Sequence, residues 1–78
     1  MSKIIDYRIK NYPSNVQVFL YSDIEYASYW GCFDINKDMY KYIHQIEDKV
    51  IYIVEKTEYK ITKKLAHKIA VAVKNYIR

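Results

Sequence analysis

Few residues of this chain could take part in catalysis: Cys32, His44, His67 and the adjacent acids Glu47 and Asp48. A nucleophile or a general base needs a second group that orients or activates it. Neither histidine has a sequence neighbour suited to that role, although Asp48 follows His44 by four residues. Cys32 lies in a predicted strand beside an aromatic residue, where we expect a buried and inert thiol. The sequence therefore predicts a protein that is not an enzyme.

Cofactor and metal sites are equally unsupported by the pattern of residues. No grouping of cysteine and histidine has metal-ligand spacing. The chain contains a single glycine, whereas a phosphate-cradling loop needs several. We expect neither a cofactor nor a metal.

Basic residues near the C-terminus could bind phosphate. On a helical wheel, residues 61–78 place apolar side chains on one half and basic side chains on the other. Lysines in the first turn of a helix are disfavoured by a few tenths to about 1 kcal/mol each, but the free N–H groups there favour an anion. Either this helix face is simply solvated, or it is the binding surface of a small basic nucleic-acid-binding protein. The candidate residues are Lys63, Lys64, His67, Lys68, Lys74 and Arg78.

Two resemblances extend the nucleic-acid hypothesis. The run from Thr62 to Ala70, Thr-Lys-Lys-Leu-Ala-His-Lys-Ile-Ala, resembles the start of the last helix of double-stranded-RNA-binding domains. It implies phosphate contacts for Lys63 and Lys64, covers nine of 78 residues and lacks that family's glycine-rich approach to the helix. The predicted order of a meander and then a helix is similar to that of single-strand-binding coactivator domains of the PC-four kind. That likeness implies stacking and charge on a sheet face that includes Lys41.

Aromatic residues favour a protein partner instead. The chain has ten tyrosines and one tryptophan, the residue types that dominate interface hot spots. In size and in its Ile-, Lys- and Tyr-rich composition it resembles the small inhibitors that phages and mobile elements make against host systems, including anti-defence and anti-CRISPR proteins. The first hypothesis is a small non-catalytic protein that binds a protein partner stoichiometrically, with homodimerisation through the sheet or an edge strand as a related alternative. The candidate partner-binding residues are Tyr26, Trp30, Tyr40 and Tyr42.

Length and composition predict one intracellular domain, residues 1–78. The hydrophobic fraction of 51% suffices for a core and the charged fraction of 28% for solubility, while a single cysteine excludes an internal disulfide. The start of the chain is unlike a signal peptide, and no apolar run approaches the roughly 18 residues of a membrane span. We expect a cytoplasmic protein, in the host cytoplasm if it is such an inhibitor. The net charge is +4, and residues 37–78 carry ten basic against five acidic side chains.

Alternating apolar and polar residues predict the elements that position these side chains. Residues 37–48 fit a fourth strand, with a short helix capped by Asn36 as the alternative, and Val50 to Glu55 fits a fifth strand. Gly31 within the third strand indicates a bulge, with close approach of another backbone or a ligand as the alternative. Thr62 is expected to cap the C-terminal helix. The predicted fold is α+β: an antiparallel β-meander of four to five strands with one long C-terminal amphipathic helix packed across it. Its elements are strands over residues 3–10, 16–21, 25–35, 37–48 and 50–55 and a helix over residues 61–78.

Overall fold

Three strands and then two helices follow one another in the computed structural model, which describes residues 2–24 and 28–77. The strands form an antiparallel sheet in the order β1-β2-β3. This confirms the α+β class and the meander, with fewer strands than predicted. The elements are β1 (Ile4–Asn11), β2 (Asn15–Ser22), β3 (Tyr29–Asn36), α1 (Ile43–Glu55) and α2 (Lys63–Lys74).

The central strand β2 shows the predicted alternation clearly. Val16, Val18 and Leu20 are fully buried, whereas Phe19 and Tyr21 between them are partly exposed. Successive side chains of a strand point to opposite faces of the sheet. One face of β2 is therefore aliphatic and inward, and the other is aromatic and outward.

Strand β1 follows its predicted pattern except near its start. Tyr7 and Ile9 pack against the core as expected, but Ile4 is buried and Ile5 is exposed. The register with β2 shifts between Ile4 and Asp6. A bulge at that point moves following side chains to the other face. Ile5 is therefore exposed, although the alternation of Ile5, Tyr7 and Ile9 in the sequence places it on the same face as the other two.

Strand β3 begins at Tyr29, and residues 25–27 of the predicted third strand lie outside the described residues. Leu20 pairs with Gly31 and Tyr21 pairs with Tyr29, which leaves Trp30 as an extra residue. The predicted bulge is therefore confirmed beside Gly31. A methyl group built at Gly31 would meet no heavy atom within 4 Å, so close approach of another backbone is not the reason for this glycine.

Helix α1 replaces the predicted fourth and fifth strands, and both of those predictions are wrong. The alternative of a short helix within residues 37–48 is also too short, because α1 begins at Ile43 and continues to Glu55. Ile46, Val50 and Val54 recur every four residues and are fully buried, so the run forms one helical seam. Tertiary burial of that seam outweighs the β propensity of the Val-Ile-Tyr-Ile-Val segment.

The start of α1 is held by a side chain. The amide oxygen of Gln45 accepts hydrogen bonds from the backbone N–H groups of Lys41 and Tyr42, at 2.9 and 3.0 Å. These donors would otherwise lack a partner at a helix N-terminus. Residues 37–42 consequently form a turn and an extended lead-in instead of a strand.

Helix α2 confirms the predicted C-terminal helix, although it is shorter than residues 61–78. The Oγ1 of Thr62 accepts a hydrogen bond from the backbone N–H of Leu65 at 3.1 Å, which confirms the predicted cap. The helix packs mainly against α1 and only partly against β1. The expectation of one helix lying across the sheet is corrected on this point, because α1 covers much of the apolar half of α2.

A single hydrophobic cluster joins the sheet to both helices. The connection between the helices is tied to β1, because the N–H of Ile4 donates to the carbonyl of Lys60 at 2.7 Å. The helices therefore occupy the inner side of the sheet. The cluster comprises Ile4, Val16, Val18, Leu20, Ile35, Ile46, Val50, Val54, Ile61, Ala66, Ile69, Ala70, Val73 and Ile77.

Candidate protein-binding face of the sheet

Three of the four aromatic residues proposed from the sequence are described by the structure, and they do not form one surface. Trp30 and Tyr40 are partly buried against the core, and the Trp30 ring makes an edge contact with Tyr59 at 5.4 Å between centroids. Tyr42 is exposed and stacks on the His44 ring. Tyr26 lies outside the described residues. Trp30 and Tyr40 thus stabilise the fold, and Tyr42 stands apart from them.

The register of the sheet defines a different set of exposed side chains. Directly paired residues of an antiparallel sheet lie on the same face, so the partners of Phe19 and Tyr21 share the outward side. We call these residues the outer sheet face. Its three cross-strand rows are Lys10–Gln17–Asp34, Arg8–Phe19–Cys32 and Asp6–Tyr21–Tyr29.

Three aromatic rings form the centre of the outer sheet face. The Tyr29 ring lies 6.4 Å from Phe19 and 6.0 Å from Tyr21, measured between centroids, in tilted and edge-to-face orientations. These geometries suit the quadrupoles of the rings and hold the cluster together. Tyr29 is 57% exposed, and both helices of the described chain pack on the opposite side of the sheet. The cluster therefore presents ordered aromatic surface to solvent.

Charges border the cluster unevenly. Arg8 and Lys10 lie on β1, whereas Asp34 lies on β3 and its Oδ1 accepts a hydrogen bond from the Asn15 side chain at 3.0 Å. A shallow depression of about 280 Å³ opens on the β1 side of the face. The β1 edge of the face is thus recessed and carries two cations and the Asp6 carboxylate, and the β3 edge carries the projecting Tyr29 ring and a carboxylate. The lining residues of the depression are Arg8, Ile9, Lys10, Phe19 and Tyr21.

The single thiol belongs to this face. Cys32 is exposed, so the expectation of a buried thiol is wrong; its pairing with Phe19 puts it on the outward side. The Gln17 side chain donates to its Sγ at 3.8 Å. A hydrogen bond with Cys32 raises the pKa of Tyr29 above its usual value.

The sheet separates Cys32 from both histidines, because His44 and His67 lie on the helices. His67 instead contacts α1: its Nδ1 lies 2.8 Å from the Glu47 Oε2. Among the described residues, no group of three or more His, Cys, Asp or Glu side chains is arranged to hold a metal ion. Cys32 and a histidine therefore do not form a nucleophile–base pair.

The basic residues of α2 are found where the wheel predicts them. Lys63, Lys64, His67 and Lys68 are exposed, and Lys74 is partly buried. Arg78 lies outside the described residues. Helix α2 carries no carboxylate along Lys63–Lys74. The structure therefore brings four of the six proposed nucleic-acid-binding residues to one solvent-exposed helix face.

Sequence reasoning missed the outer sheet face, although a signal for it exists. Phe19 and Tyr21 alternate with Val18 and Leu20, and a fully aliphatic inner face leaves the aromatic one outside. Following β2 across to its neighbours would have selected Arg8 and Tyr29. That step needs the cross-strand register, which the sequence alone does not provide.

The order of elements also differs from that of the PC-four kind of domain, since two helices follow a three-stranded sheet. No helix in the described part of the chain is long and apolar enough to cross a membrane. Searches of protein-family models, of curated proteins and of solved structures found no match to this chain.

Proposed function

We propose that this protein is a small non-catalytic binding domain that acts stoichiometrically on a protein partner through its outer sheet face. The observation that carries the proposal is the exposed cluster of Phe19, Tyr21 and Tyr29 on a side of the sheet that neither helix covers. Aromatic side chains supply large contact area with few rotamers to immobilise. Arg8 at the edge of the cluster adds the third residue type enriched in hot spots.

The charge of the face favours a protein over a nucleic acid at this site. Arg8 and Lys10 are balanced by Asp6 and Asp34, so the face has no net formal charge. Binding of a single strand depends on a positively charged groove along the phosphates. The chemistry that fits is a flat apolar or aromatic protein surface, with a carboxylate opposite the basic edge and a cation opposite Asp34.

The mode of action that follows is occupancy of the partner's surface. A binder without catalytic groups affects its target in proportion to the fraction of target it covers. Size and composition are those of the small phage and mobile-element inhibitors of host systems, anti-CRISPR proteins among them, and our proposal includes inhibition of this kind.

Site-specific photocrosslinking tests the proposed face. A photoreactive phenylalanine analogue replaces Tyr29 in one variant and Tyr52 in the other, because Tyr52 is 64% exposed on α1, away from the outer sheet face. Each protein is irradiated in a lysate of the cells that naturally contain it. We expect a discrete adduct with a polypeptide at position 29, reduced at least tenfold by Arg8→Glu, and none at position 52.

Two results contradict this function. Equal adduct yields at positions 29 and 52 would show that the face has no preference for protein. Absence of any protein adduct at position 29 would remove the face as a protein-binding site.

A second candidate function, nucleic-acid binding, is favoured by one observation on α2. Lys63, Lys64 and Lys68 are exposed on a helix without a carboxylate, and the described residues show no ion pair to any of them. Fluorescence anisotropy of random single- and double-stranded DNA and RNA at low and physiological salt measures such binding. The double variant Lys64→Glu with Lys68→Glu should weaken it and reduce the salt slope by about two.

The matched control for that experiment is Lys41→Glu with Lys37→Glu, which changes the net charge equally outside α2. If both double variants weaken binding equally, the effect reflects net charge and the α2 face is not the site.

A further inference from the structure

The outer sheet face has two unlike halves. On the β3 side, the Tyr29 ring projects into solvent and Asp34 supplies a carboxylate. On the β1 side lies the depression, bordered by Arg8 and Lys10. A projection and a carboxylate therefore stand at one edge. A recess and two cations stand at the other, together with Asp6 in the row of Tyr21 and Tyr29. The face is complementary in shape and in charge to a copy of itself.

A two-fold rotation about an axis parallel to β2 brings these unlike halves together. When two such sheets are placed face to face, the rotation lays β1 of each subunit over β3 of the other and keeps the cross-strand rows aligned. Lys10 and Asp34 belong to the same row, on either side of Gln17. Lys10 then lies opposite Asp34 of the partner subunit, and by symmetry the pair forms twice.

The same rotation seats the projecting ring. Tyr29 of each subunit comes to lie over β1 of the other, opposite Asp6 of the partner subunit and beside the depression. Phe19 and Tyr21 meet their own counterparts along the axis, so all three rings become buried together.

Within one chain, the Lys10–Asp34 pair does not form directly. The two residues are separated by the central strand and so by two strand spacings, about 9.6 Å between backbones. Asp34 is held instead by Asn15, at 3.0 Å. Both charges remain available to a second subunit.

The other face-to-face two-fold, perpendicular to the strands, is less suitable. It pairs Lys10 with Asp6 of the partner subunit, but it also sets Arg8 against Arg8 of the partner subunit. Tyr29 would then lie over Asp34 of the partner subunit and away from the depression. The perpendicular axis thus opposes like charges and leaves the Tyr29 ring away from the depression. The axis parallel to β2 is therefore favoured.

We infer that the protein seated on the outer sheet face is a second copy of this chain, in a two-fold dimer with Lys10 opposite Asp34 of the partner subunit. This inference rests on the proposed function of the face as a protein-binding surface, and a target protein would compete with the second copy for that face. The two sheets form a sandwich about 10 Å thick, with the helices of each subunit on the outside. The basic faces of the two α2 helices then lie on opposite sides of the dimer and stay exposed.

The size of the face sets the expected affinity. Three strands about 4.8 Å apart and eight residues at about 3.4 Å each cover roughly 14 Å by 27 Å. That is about 380 Å² per subunit, below the roughly 800 Å² per partner of a standard interface, so the dimer belongs to the weak, transient class. We expect a dissociation constant in the micromolar range, with the dimer predominating well above it.

Sedimentation velocity from about 1 μM to about 1 mM protein, a range that spans weak to moderate affinities, tests the dimer with charge-swap variants. Lys10→Glu sets two carboxylates against each other at both pairs, and Asp34→Lys sets two cations against each other. Each variant alone should dimerise at least tenfold more weakly than the wild type. An equimolar mixture of the two should regain wild-type dimerisation, because a heterodimer pairs opposite charges at both positions.

Lys41→Glu is the charge control and should leave dimerisation unchanged. Residues 10 and 34 are exposed, so far-UV circular dichroism should show each variant folded. The double variant Lys10→Glu with Asp34→Lys should dimerise by itself, as the mixture does.

Three outcomes overturn the inference. A wild type that stays monomeric at 1 mM excludes the second copy, while a photoadduct between Tyr29's position and a different protein would still support the proposed function. A dimer that Asp34→Lys leaves unchanged uses another surface or the perpendicular axis. A monomer that also gives no protein adduct at position 29 removes both the dimer and the proposed function.

Discussion

Tyr29 shows how one residue links the fold to the proposed interface. Its backbone pairs with Tyr21 beside the Trp30 bulge, which turns Trp30 toward Tyr59 and leaves the Tyr29 ring on the outer sheet face. The most exposed ring of the face is thus positioned by the sheet register.

The titration of Tyr29 depends on the Cys32 thiol. The hydrogen bond with Cys32 raises the pKa of Tyr29 above its usual value of 10.0. The phenolate absorbance of wild type minus that of Tyr29→Phe isolates this residue among the ten tyrosines. We expect Cys32→Ala to shift the difference titration to lower pH, toward the ordinary tyrosine value.

The sign of the linked stability effect follows from the same direction. With the pKa of Tyr29 higher in the folded chain, the unfolded chain loses its proton first, so folding is increasingly disfavoured as the pH rises through the tyrosine range. Tyr29→Phe should flatten this alkaline loss of stability. A difference titration that Cys32→Ala leaves in place would contradict the contact.

At the scale of elements, α1 is the segment whose type depends most on its surroundings. Val50, Tyr52 and Val54 would share one face of a strand, because strand side chains repeat every second residue. In the helix, Val50 and Val54 are fully buried, whereas Tyr52 is 64% exposed and its ring lies under the Lys56 ammonium. A strand therefore predicts a large loss of stability on truncation of Tyr52, whereas the helix predicts almost none.

Truncating one buried and one exposed side chain of α1 distinguishes the helix from a strand. Val54→Ala removes buried methyl groups and leaves a cavity, and we expect it to lower the free energy of unfolding by about 2 kcal/mol. Tyr52→Ala should change it by less than about 0.5 kcal/mol, as other exposed substitutions do. Urea denaturation followed by circular dichroism measures both. Large losses at both positions would support a buried strand instead.

For the molecule as a whole, one hydrophobic cluster spans the sheet and both helices. No element has a core of its own, since the inner face of the sheet is covered by helices whose apolar sides also pack on each other. The link from Lys60 to Ile4 joins the two halves through the backbone. Loss of either half exposes the apolar surface of the other.

We therefore expect the chain to unfold in one cooperative transition. The fluorescence of Trp30 reports on the junction between sheet and helices, because its ring contacts Tyr59 at 5.4 Å between centroids. Far-UV circular dichroism reports mainly on the helices. The two signals should give the same urea midpoint. Ile69→Ala, a fully buried truncation in α2, should lower both midpoints together. Distinct midpoints for the two signals would show that the sheet and the helices fold as separate units.

Local patterns in the sequence predicted β1, β2 and α2, because each has an apolar period that fits one structure. The alternation of Val16, Val18 and Leu20 fits a strand alone, and the cap at Thr62 marks the start of α2. The bulge beside Gly31 was also predictable, since a lone glycine in a strand marks such a site. The composition further indicated a binding protein, and that expectation remains a proposal.

The tertiary structure alone decided the type of α1 and the position of the candidate site. An apolar run as short as residues 50–54 fits a buried strand or a helix equally. The helix forms because it packs its buried side chains against the apolar half of α2. The outer sheet face depends on the register of three strands and on two bulges. A shift of one residue turns every side chain to the opposite side, so no local pattern could show that Arg8, Phe19 and Tyr29 share a surface.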